Sequence, residues 1–152
     1  PPGRTIHMKR TLALDVGSKT IGVAVSDLLG ITANGVTTIM RKDMEHDTAE
    51  LAKIIAEYEP GELLVGLPMR GDGGMTRRGE EIKKFTSLVL EKFGIPISFW
   101  DESYSTKNAE RFLIEADVSR KKRKKVIDKM AAVYILAEYL ETKRPISSED
   151  DY

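Results

Sequence analysis

The spacing of apolar residues changes partway along the chain, and this change constrains the fold more than any other feature. Residues 9–15 and 19–27 alternate between the two faces of an extended chain, and residues 35–41 are rich in Thr, Val and Ile. We therefore predict three strands, with a hairpin turn at the Gly17-Ser pair that separates the first two. From residue 47 onward, segments whose apolar residues have helical spacing alternate with short apolar runs typical of strands. This order predicts an α/β fold in which antiparallel strands open the chain and parallel strands follow.

The second part of the chain supplies the helices and the remaining strands. We predict helices over residues 47–58, 78–93, 106–116 and 120–142, and strands over residues 63–67 and 95–100. The helical segments show apolar residues three and four positions apart, and the strands are short apolar runs. Together these elements predict a mixed five-stranded sheet with helices on both faces.

Length and composition narrow the class of protein. The chain has 152 residues, the size of one domain, which we place at residues 8–142. We expect residues 1–7 to be a cloning remnant or disordered, and residues 143–152 to form an acidic tail. The chain has no Cys, which excludes thiol catalysis, disulfide scaffolds and Cys-based zinc sites. We find no run near the roughly 18 apolar residues of a membrane span and no secretory signal, so we expect a cytoplasmic protein without a membrane partner.

Charge is balanced overall but unevenly distributed. The chain has 24 basic and 24 acidic residues, yet six consecutive cations, RKKRKK, occupy positions 120–125. The local field, rather than the net charge, attracts a polyanion. This run is therefore a candidate nucleic-acid-binding surface, and a solvated helix end is the alternative interpretation.

Two acidic residues lie at the ends of predicted strands. Asp15 ends the first strand, and Glu102 follows the strand at residues 95–100. Open α/β sheets bind their ligands beyond the carboxyl ends of strands, so both residues are candidate metal ligands. The alternatives are a turn cap for Asp15 and, around Glu102, a helix cap supplied by Asp101 or Ser103.

Asp128 lies within the last predicted helix. Ala132, Ile135 and Tyr139 follow it by four, seven and eleven residues, so Asp128 shares their apolar face. A carboxylate on a sheet-facing surface needs a partner or a metal ion, because burying it alone is very costly. A buried salt bridge is the alternative to a metal site.

The three acids come from two strand ends and one helix, and we expect them to meet at one edge of the sheet. Clustered carboxylates repel one another and persist around cations. Oxygen ligands without His or Cys suit Mg²⁺ or Mn²⁺. Two such ions about 4 Å apart would stabilise both the attacking and the leaving oxygen of a phosphoryl displacement.

Four segments resemble the YqgF family of RNase H-like proteins, which are related to the Holliday-junction resolvase RuvC. The segments are residues 14–27 (LDVGSKTIGVAVSD), 64–69 (LVGLPM), 101–106 (DESYST) and 117–136 (DVSRKKRKKVIDKMAAVYIL). With the spacing between them, the resemblance covers residues 8–140. Members of the family are described as Holliday-junction resolvases and as pre-16S ribosomal RNA nucleases.

The resemblance implies an RNase H-like fold with strand order 3-2-1-4-5, in which strand 2 is antiparallel. It also implies that Asp15, Glu102 and Asp128 are a catalytic triad that binds Mg²⁺ or Mn²⁺ and hydrolyses phosphodiester bonds, leaving a 5′-phosphate and a 3′-hydroxyl. The chain departs from the family's usual Asp-Glu-Arg, because Ser103 takes the place of the Arg. A phosphate contact from that position is therefore not expected here.

Cations on two segments are the predicted nucleic-acid contacts. The Gly-rich loop at residues 68–79 allows close backbone approach, and its arginines suit phosphates, although a flexible surface loop is the alternative. Lys121 and Lys124 precede Asp128 by seven and four residues, on the same helix face. We interpret Trp100 as a core or rim aromatic rather than a base-stacking residue. The predicted contacts are Arg70, Arg77, Arg78, Arg120, Lys121, Lys124 and Lys125.

Three functions are compatible with these features. We favour a metal-dependent nuclease that matures the 5′ end of pre-16S rRNA, with cleavage of four-way DNA junctions as the alternative substrate. The second function is a non-catalytic nucleic-acid-binding or ribosome-associated module. The third is an actin-type ATPase or sugar kinase, whose first phosphate loop residues 14–27 resemble, but such proteins need two domains of this kind. The expected partners are precursor rRNA or branched DNA and ribosomal particles, and the pattern separates neither RNA from DNA nor monomer from homodimer.

Overall fold

The structure, a computed structural model, describes residues 9–101 and 120–143, and for residues 120–129 and 143 it describes the helix backbone. The strands are β1 (Thr11–Val16), β2 (Thr20–Ser26), β3 (Ala33–Met40), β4 (Glu62–Leu67) and β5 (Ile97–Asp101). The helices are α1 (Met44–Tyr58), α2 (Arg77–Leu88), a 3-10 helix (Leu90–Phe93) and α3 (Arg120–Lys143). The predicted helix at residues 106–116 and the predicted N-terminal remnant at residues 1–7 lie outside the described residues.

The five strands form one sheet in the order β3-β2-β1-β4-β5. β2 pairs antiparallel with β1 and β3, whereas β1, β4 and β5 run parallel to one another. The predicted mixed sheet, its strand order and its antiparallel strand 2 are confirmed. Because β1, β4 and β5 are parallel, they end at the same side of the sheet, at Val16, Leu67 and Asp101. We call this side the carboxyl edge.

The turn between β1 and β2 lies at the carboxyl edge. The Gly17 N–H donates to the Thr20 carbonyl over 2.8 Å, which closes the predicted hairpin. A Cβ at Gly17 would lie 3.1 Å from that carbonyl oxygen, so this close approach favours glycine. The tight turn returns the chain into β2 directly after Asp15 and Val16.

Helices cover both faces of the sheet, as predicted. Alternate residues of each strand point to opposite faces, and two separate cores result. On the α1–α2 face the buried side chains include Leu12, Leu14, Leu51 and Phe85. On the α3 face they include Ala13, Ala24, Leu64, Ala132, Ile135 and Leu136. The small side chains of this second core allow α3 to pack close to the sheet.

α3 has 24 residues, and its contacts establish its direction. The Tyr139 hydroxyl donates to Glu62 Oε2 over 2.6 Å, where β4 begins. Leu140 approaches Gly30, in the turn that follows β2. The C-terminal end of α3 therefore lies at the side of the sheet opposite the carboxyl edge, and its N-terminal end extends toward that edge. Within the part of the chain that the structure describes, no helix is both long and apolar enough to span a bilayer.

Two helices differ from their predicted bounds for local reasons. α1 begins at Met44 rather than at residue 47, because Asp43 caps it by accepting the His46 N–H over 2.7 Å. The helix predicted at residues 78–93 ends at Leu88 and continues as the 3-10 helix. The Thr86 hydroxyl donates to the carbonyl of the preceding turn, a local bond that competes with regular helix geometry.

The last strand also starts later than predicted. β5 begins at Ile97 rather than at residue 95. Pro96 has no N–H to pair with a neighbouring strand, and it contributes only its carbonyl, which accepts the Leu63 N–H over 2.8 Å.

Candidate functional site

Asp15 occupies the next-to-last position of β1, close to the carboxyl edge. It alternates in phase with Ala13, which packs against α3, so its side chain lies on the α3 face. The side chain is only 12% exposed. The backbone bond between Gly17 and Thr20 closes the adjacent turn, which leaves the Asp15 carboxylate available for another role.

Glycines flank Asp15 on both neighbouring strands. Gly22 lies opposite Asp15 in β2. On the other side Leu14 is level with Val65, so the next residue of β4, Gly66, is level with Asp15. Residues that are level across neighbouring strands point to the same face. The sheet therefore has no side chain on either side of the Asp15 carboxylate.

One oxygen of the Asp15 carboxylate, Oδ1, is buried and accepts no hydrogen bond within the described residues. Arg78 Nη2 lies 3.7 Å away, which is an ion-pair distance but too long for a hydrogen bond. A buried, unsatisfied carboxylate oxygen is costly, and a bound cation would remove that cost.

The site fits a hard divalent ion in its donor chemistry. Carboxylate oxygens are the ligands that Mg²⁺ prefers in proteins. The residues that the structure describes contain no cluster of three or more His or acidic side chains able to hold a metal ion. The other two predicted ligands, Glu102 and the side chain of Asp128, lie outside that part of the chain.

Glu102 lies outside the described residues, but the strand that leads to it is described. β5 ends at Asp101, and Trp100 is level with Gly66 of β4, and so with Asp15. Asp101 thus lies at the carboxyl edge, one residue beyond the level of Asp15, and Glu102 is the next residue along the chain.

Asp128 lies on the backbone of α3, in its N-terminal half. It precedes Tyr139 by eleven residues, or about 16 Å of helix. Because the N-terminal end of α3 extends toward the carboxyl edge, Asp128 lies on the part of the helix that leads to that edge. The predicted site residues Arg120, Lys121, Lys124 and Lys125 occupy the first two turns of the same helix.

The Gly-rich loop between β4 and α2 has a defined structure. Met69 and Met75 form a β-bridge, and the Arg70 N–H donates to the Gly74 carbonyl over 2.9 Å. Asp72 accepts the Gly74 N–H over 2.8 Å, and its other oxygen lies 3.3 Å from Arg70 Nη2. Asp72 thus stabilises the loop, in keeping with the Asp-Gly pair as a turn signal. The predicted contact Arg70 is exposed at the tip of this loop.

Arg77 and Arg78 lie at the start of α2, on the carboxyl edge. Thr76 caps this helix by accepting the Gly79 N–H over 2.9 Å. A Cβ at Gly79 would lie 2.6 Å from Met75 Sδ, so glycine allows the helix start to pack against the loop. Both arginines are exposed, and only Arg78 contacts Asp15 among the predicted nucleic-acid residues that the structure describes.

Trp100 is a packing residue, as sequence analysis proposed. Its Nε1–H donates to Glu138 Oε2 over 3.2 Å. Its ring meets that of Tyr139 edge-on, with centroids 5.5 Å apart. Both contacts fix β5 against α3, which supports a packing role for Trp100 at the rim of the core.

An ion pair that the sequence pattern did not indicate, between Arg41 and a buried carboxylate, lies beneath the β1–β2 turn. Asp47 is 1% exposed and lies 3.0 Å from Arg41 Nε, while Arg41 Nη1 donates to the Gly17 carbonyl over 2.6 Å. Burial would raise the pKa of Asp47, but hydrogen bonds from the Lys42 N–H, His46 and Arg41, together with the charge of Arg41, hold the pKa below its ordinary value of 3.8. This pair connects the start of α1 to the turn that follows Asp15.

The strand order, the helices on both faces and the acid at the carboxyl edge define an RNase H-like fold of the resolvase type. Two solved structures share it at low sequence identity. The RuvC protein of Thermus thermophilus, solved with a Holliday junction substrate, is 12% identical with a TM-score of 0.53, over 89% of this chain and 95% of that one. The Fowlpox virus resolvase, solved with Holliday junction DNA, is 13% identical with a TM-score of 0.56, over 90% and 99%. These matches establish the fold alone.

Sequence comparison identifies the family. The family model described as "RuvX: Holliday junction resolvase" matches residues 9–142. A relative from Clostridioides difficile is 54% identical over 88% of this chain and 95% of its own length. One from Myxococcus xanthus is 45% identical over 94% and 97%, and both are named "Putative pre-16S rRNA nuclease". The chain belongs to the RuvX family, also called YqgF, which confirms the predicted resemblance.

Proposed function

We propose that this chain is a metal-dependent nuclease that hydrolyses phosphodiester bonds in structured nucleic acid, and that its principal substrate is the 5′ end of pre-16S rRNA. The observation that carries the proposal is the buried Oδ1 of Asp15, which accepts no hydrogen bond within the described residues and lies at the carboxyl edge of the sheet. Membership of the RuvX family supports nuclease chemistry, and the names of the relatives support an rRNA substrate.

Asp15, Glu102 and Asp128 would hold Mg²⁺ or Mn²⁺ through carboxylate oxygens. When bound, such ions generate a nucleophile from water and stabilise the charge that develops on the phosphate. Asp128 lies in the half of α3 that extends toward the carboxyl edge, which supports its place beside Asp15. Gly22 and Gly66 place no side chain of the sheet beside the carboxylate, and the ions would lie at its Oδ1.

Arg78 would position the scissile phosphate. Its guanidinium lies 3.7 Å from Asp15 Oδ1 and extends from the capped start of α2, which fixes its backbone. A planar guanidinium pairs well with phosphate oxygens. Arg78 would therefore hold a phosphate beside the carboxylates and offset the repulsion between them and the anionic substrate.

The family description supports a second substrate, the four-way DNA junction. Cutting both strands of a junction requires two active sites and hence a homodimer, whereas rRNA maturation requires only one. Action on precursor rRNA would place the protein with ribosomal particles in the cytoplasm. A binding-only module is the remaining alternative.

A cleavage assay separates these functions. The purified chain is incubated with precursor 16S rRNA, free and in ribosomal particles, and with a four-way DNA junction, each in Mn²⁺ and in EDTA. We expect shortening of the rRNA 5′ end that requires the metal. Cleavage of the junction alone would replace the rRNA substrate with branched DNA. Intact RNA and DNA in Mn²⁺ would favour the binding-only module.

The basic start of α3 gives a second prediction. Charge reversal at Lys121 and Lys124 is expected to weaken binding to every nucleic acid tested, because phosphate contacts carry no sequence information. Each lost contact should reduce the slope of log affinity against log salt by about 0.7 to 0.9. The measurement is a titration of labelled RNA at several salt concentrations. Charge reversal at Lys53 and Lys92, two exposed lysines elsewhere, is the control, and an unchanged slope in the α3 variant would count against this surface.

A further inference from the structure

An open groove of about 1600 Å³ runs along the carboxyl edge of the sheet, next to the Asp15 site. Its walls are the β1–β2 turn, the end of β3 and the first turns of α2. Val16 and Gly17, which directly follow Asp15 in the chain, form part of the wall. Arg78 lines the groove and also pairs with Asp15, so the groove reaches the arginine beside the candidate catalytic carboxylate.

The groove carries a strong excess of positive charge. One acidic residue, Glu81, lines it against five basic ones. The basic residues are Lys19, Arg41, Lys42, Arg77 and Arg78. Because a cleft concentrates the field of the charges that line it, this groove favours an anionic ligand.

Two of these cations, Arg41 and Arg78, already contact other groups of the protein. Arg41 donates to the Gly17 carbonyl and to Asp47, and its guanidinium lies 4.7 Å above the ring of Phe85. Arg78 is directed at Asp15. The remaining charge for an external ligand comes mainly from Lys19, Lys42 and Arg77.

The two lysines are exposed, and neither forms an ion pair within the described ranges 9–101 and 120–143. Their backbones are nevertheless fixed. The Lys19 carbonyl accepts the Arg41 N–H over 2.9 Å, and the Lys42 N–H donates to Asp47 over 3.1 Å. The buried Arg41–Asp47 pair thus presents two lysines, from different segments, to the same groove.

We infer that this groove binds the sugar–phosphate backbone of the substrate strand where it leads away from Asp15, with Lys19 and Lys42 as phosphate contacts. The inference rests on the proposed function for the identity of the ligand. The groove is larger than the roughly 300–1,000 Å³ of a typical small-molecule pocket, which suits a polymer. Its lysines come from the β1–β2 turn and from the segment between β3 and α1, so the strand would be held here by cations separate from those at the start of α3.

The test measures binding without cleavage. A fluorescein-labelled 20-nucleotide single-stranded RNA, and the DNA of the same sequence, are titrated in EDTA with the Asp15→Asn chain and with Asp15→Asn carrying Lys19→Gln and Lys42→Gln. We expect roughly tenfold weaker binding at low salt and a salt slope reduced by about 1.4, the value for two single-strand phosphate contacts. Lys19→Arg with Lys42→Arg should restore both. Equal losses for RNA and DNA would indicate a backbone contact, and a loss confined to RNA a contact that includes the 2′-OH.

Matched controls make the result decisive. Lys53→Gln with Lys92→Gln removes the same charge from exposed positions outside the groove. Equal affinity and slope in the groove variant and this control would overturn the inference. Because binding is measured in EDTA, it does not depend on cleavage, and failure of every cleavage assay would refute the nuclease proposal but not the groove. Conversely, if the chain cleaves nucleic acid but the groove variant binds normally, only the groove inference is refuted. Circular dichroism verifies the fold, and should the double variant misfold, the two single variants give the same readout at half the slope change.

Discussion

Asp15→Asn is expected to abolish cleavage while leaving folding and nucleic-acid binding intact. The substitution replaces a carboxylate by a neutral amide of nearly the same shape, so the packing at the end of β1 is preserved. It removes a negatively charged ligand from the proposed metal site, which supplies several kcal/mol of transition-state stabilisation. At about 1.4 kcal/mol for each factor of ten, we expect a loss of at least about a thousandfold in the rate of cleavage in Mn²⁺.

The matched control is Asp27→Asn at the other end of β2. Asp27 Oδ1 accepts the N–H groups of Ile31 and Thr32 over 2.7 and 3.2 Å, and an Asn oxygen can accept both. The control therefore makes the same chemical change in a turn far from the carboxyl edge and should retain full activity. Wild-type cleavage by Asp15→Asn would refute the proposed site. Loss of activity together with loss of the folded state would show a structural role for Asp15 instead.

Asp47→Ala is expected to destabilise the protein by about 3 kcal/mol, in the range observed when one partner of a buried ion pair is removed. Without Asp47, Arg41 loses its counter-charge and the Lys42 N–H loses its acceptor. For a chain of this length, 3 kcal/mol corresponds to a fall of about 6–12 °C in melting temperature. Urea and thermal unfolding measure the effect, and Asp43→Ala, which removes only a helix cap, should cost about 1 kcal/mol.

The loss should also depend on pH. The pKa of Asp47 is lowered from 3.8 in the folded state, so its contribution to stability is present above about pH 3.8 and declines as the pH falls through the folded-state value. The difference in unfolding free energy between the wild type and Asp47→Ala should therefore be largest near neutral pH and shrink below pH 3.8. A constant difference from pH 7 to pH 3 would contradict the assignment of this ion pair.

The sheet was predictable from the sequence because its signal is local. The alternation around Ala13 and Asp15 defines which residues share a face, and it places the acid on the same side as the small residues that contact α3. The 3-10 turn after α2 was not predictable in the same way. It depends on Thr86 donating to a carbonyl in the preceding turn and on the burial of Val89 and Leu90, and both depend on tertiary packing rather than on apolar spacing.

The candidate site also combines residues that a local sequence pattern predicts with residues that only tertiary packing brings together. Asp15 and the helical position of Asp128 follow from periodicity, and the arginines at residues 77 and 78 follow from their place in a Gly-rich loop. The Arg41–Asp47 pair could not be found this way, since an acid in the first turn of a helix is common on macrodipole grounds alone. Its partner, Arg41, directly follows strand β3 and is distant from the helix pattern in the sequence. Lys19 and Lys42 line one groove only because the fold brings the β1–β2 turn close to the start of α1.

The glycines on either side of Asp15 have a consequence for substrate selection at the proposed site. Beside the Asp15 carboxylate the sheet presents only the main chain of Gly22 and Gly66, which has no side chain to recognise a base or a sugar. We therefore expect selectivity between nucleic acids to reside in the β4–α2 loop, the start of α3 and the lysine-lined groove. Changes in these surrounding segments would alter the choice of substrate and leave the sheet surface beside Asp15 as it is.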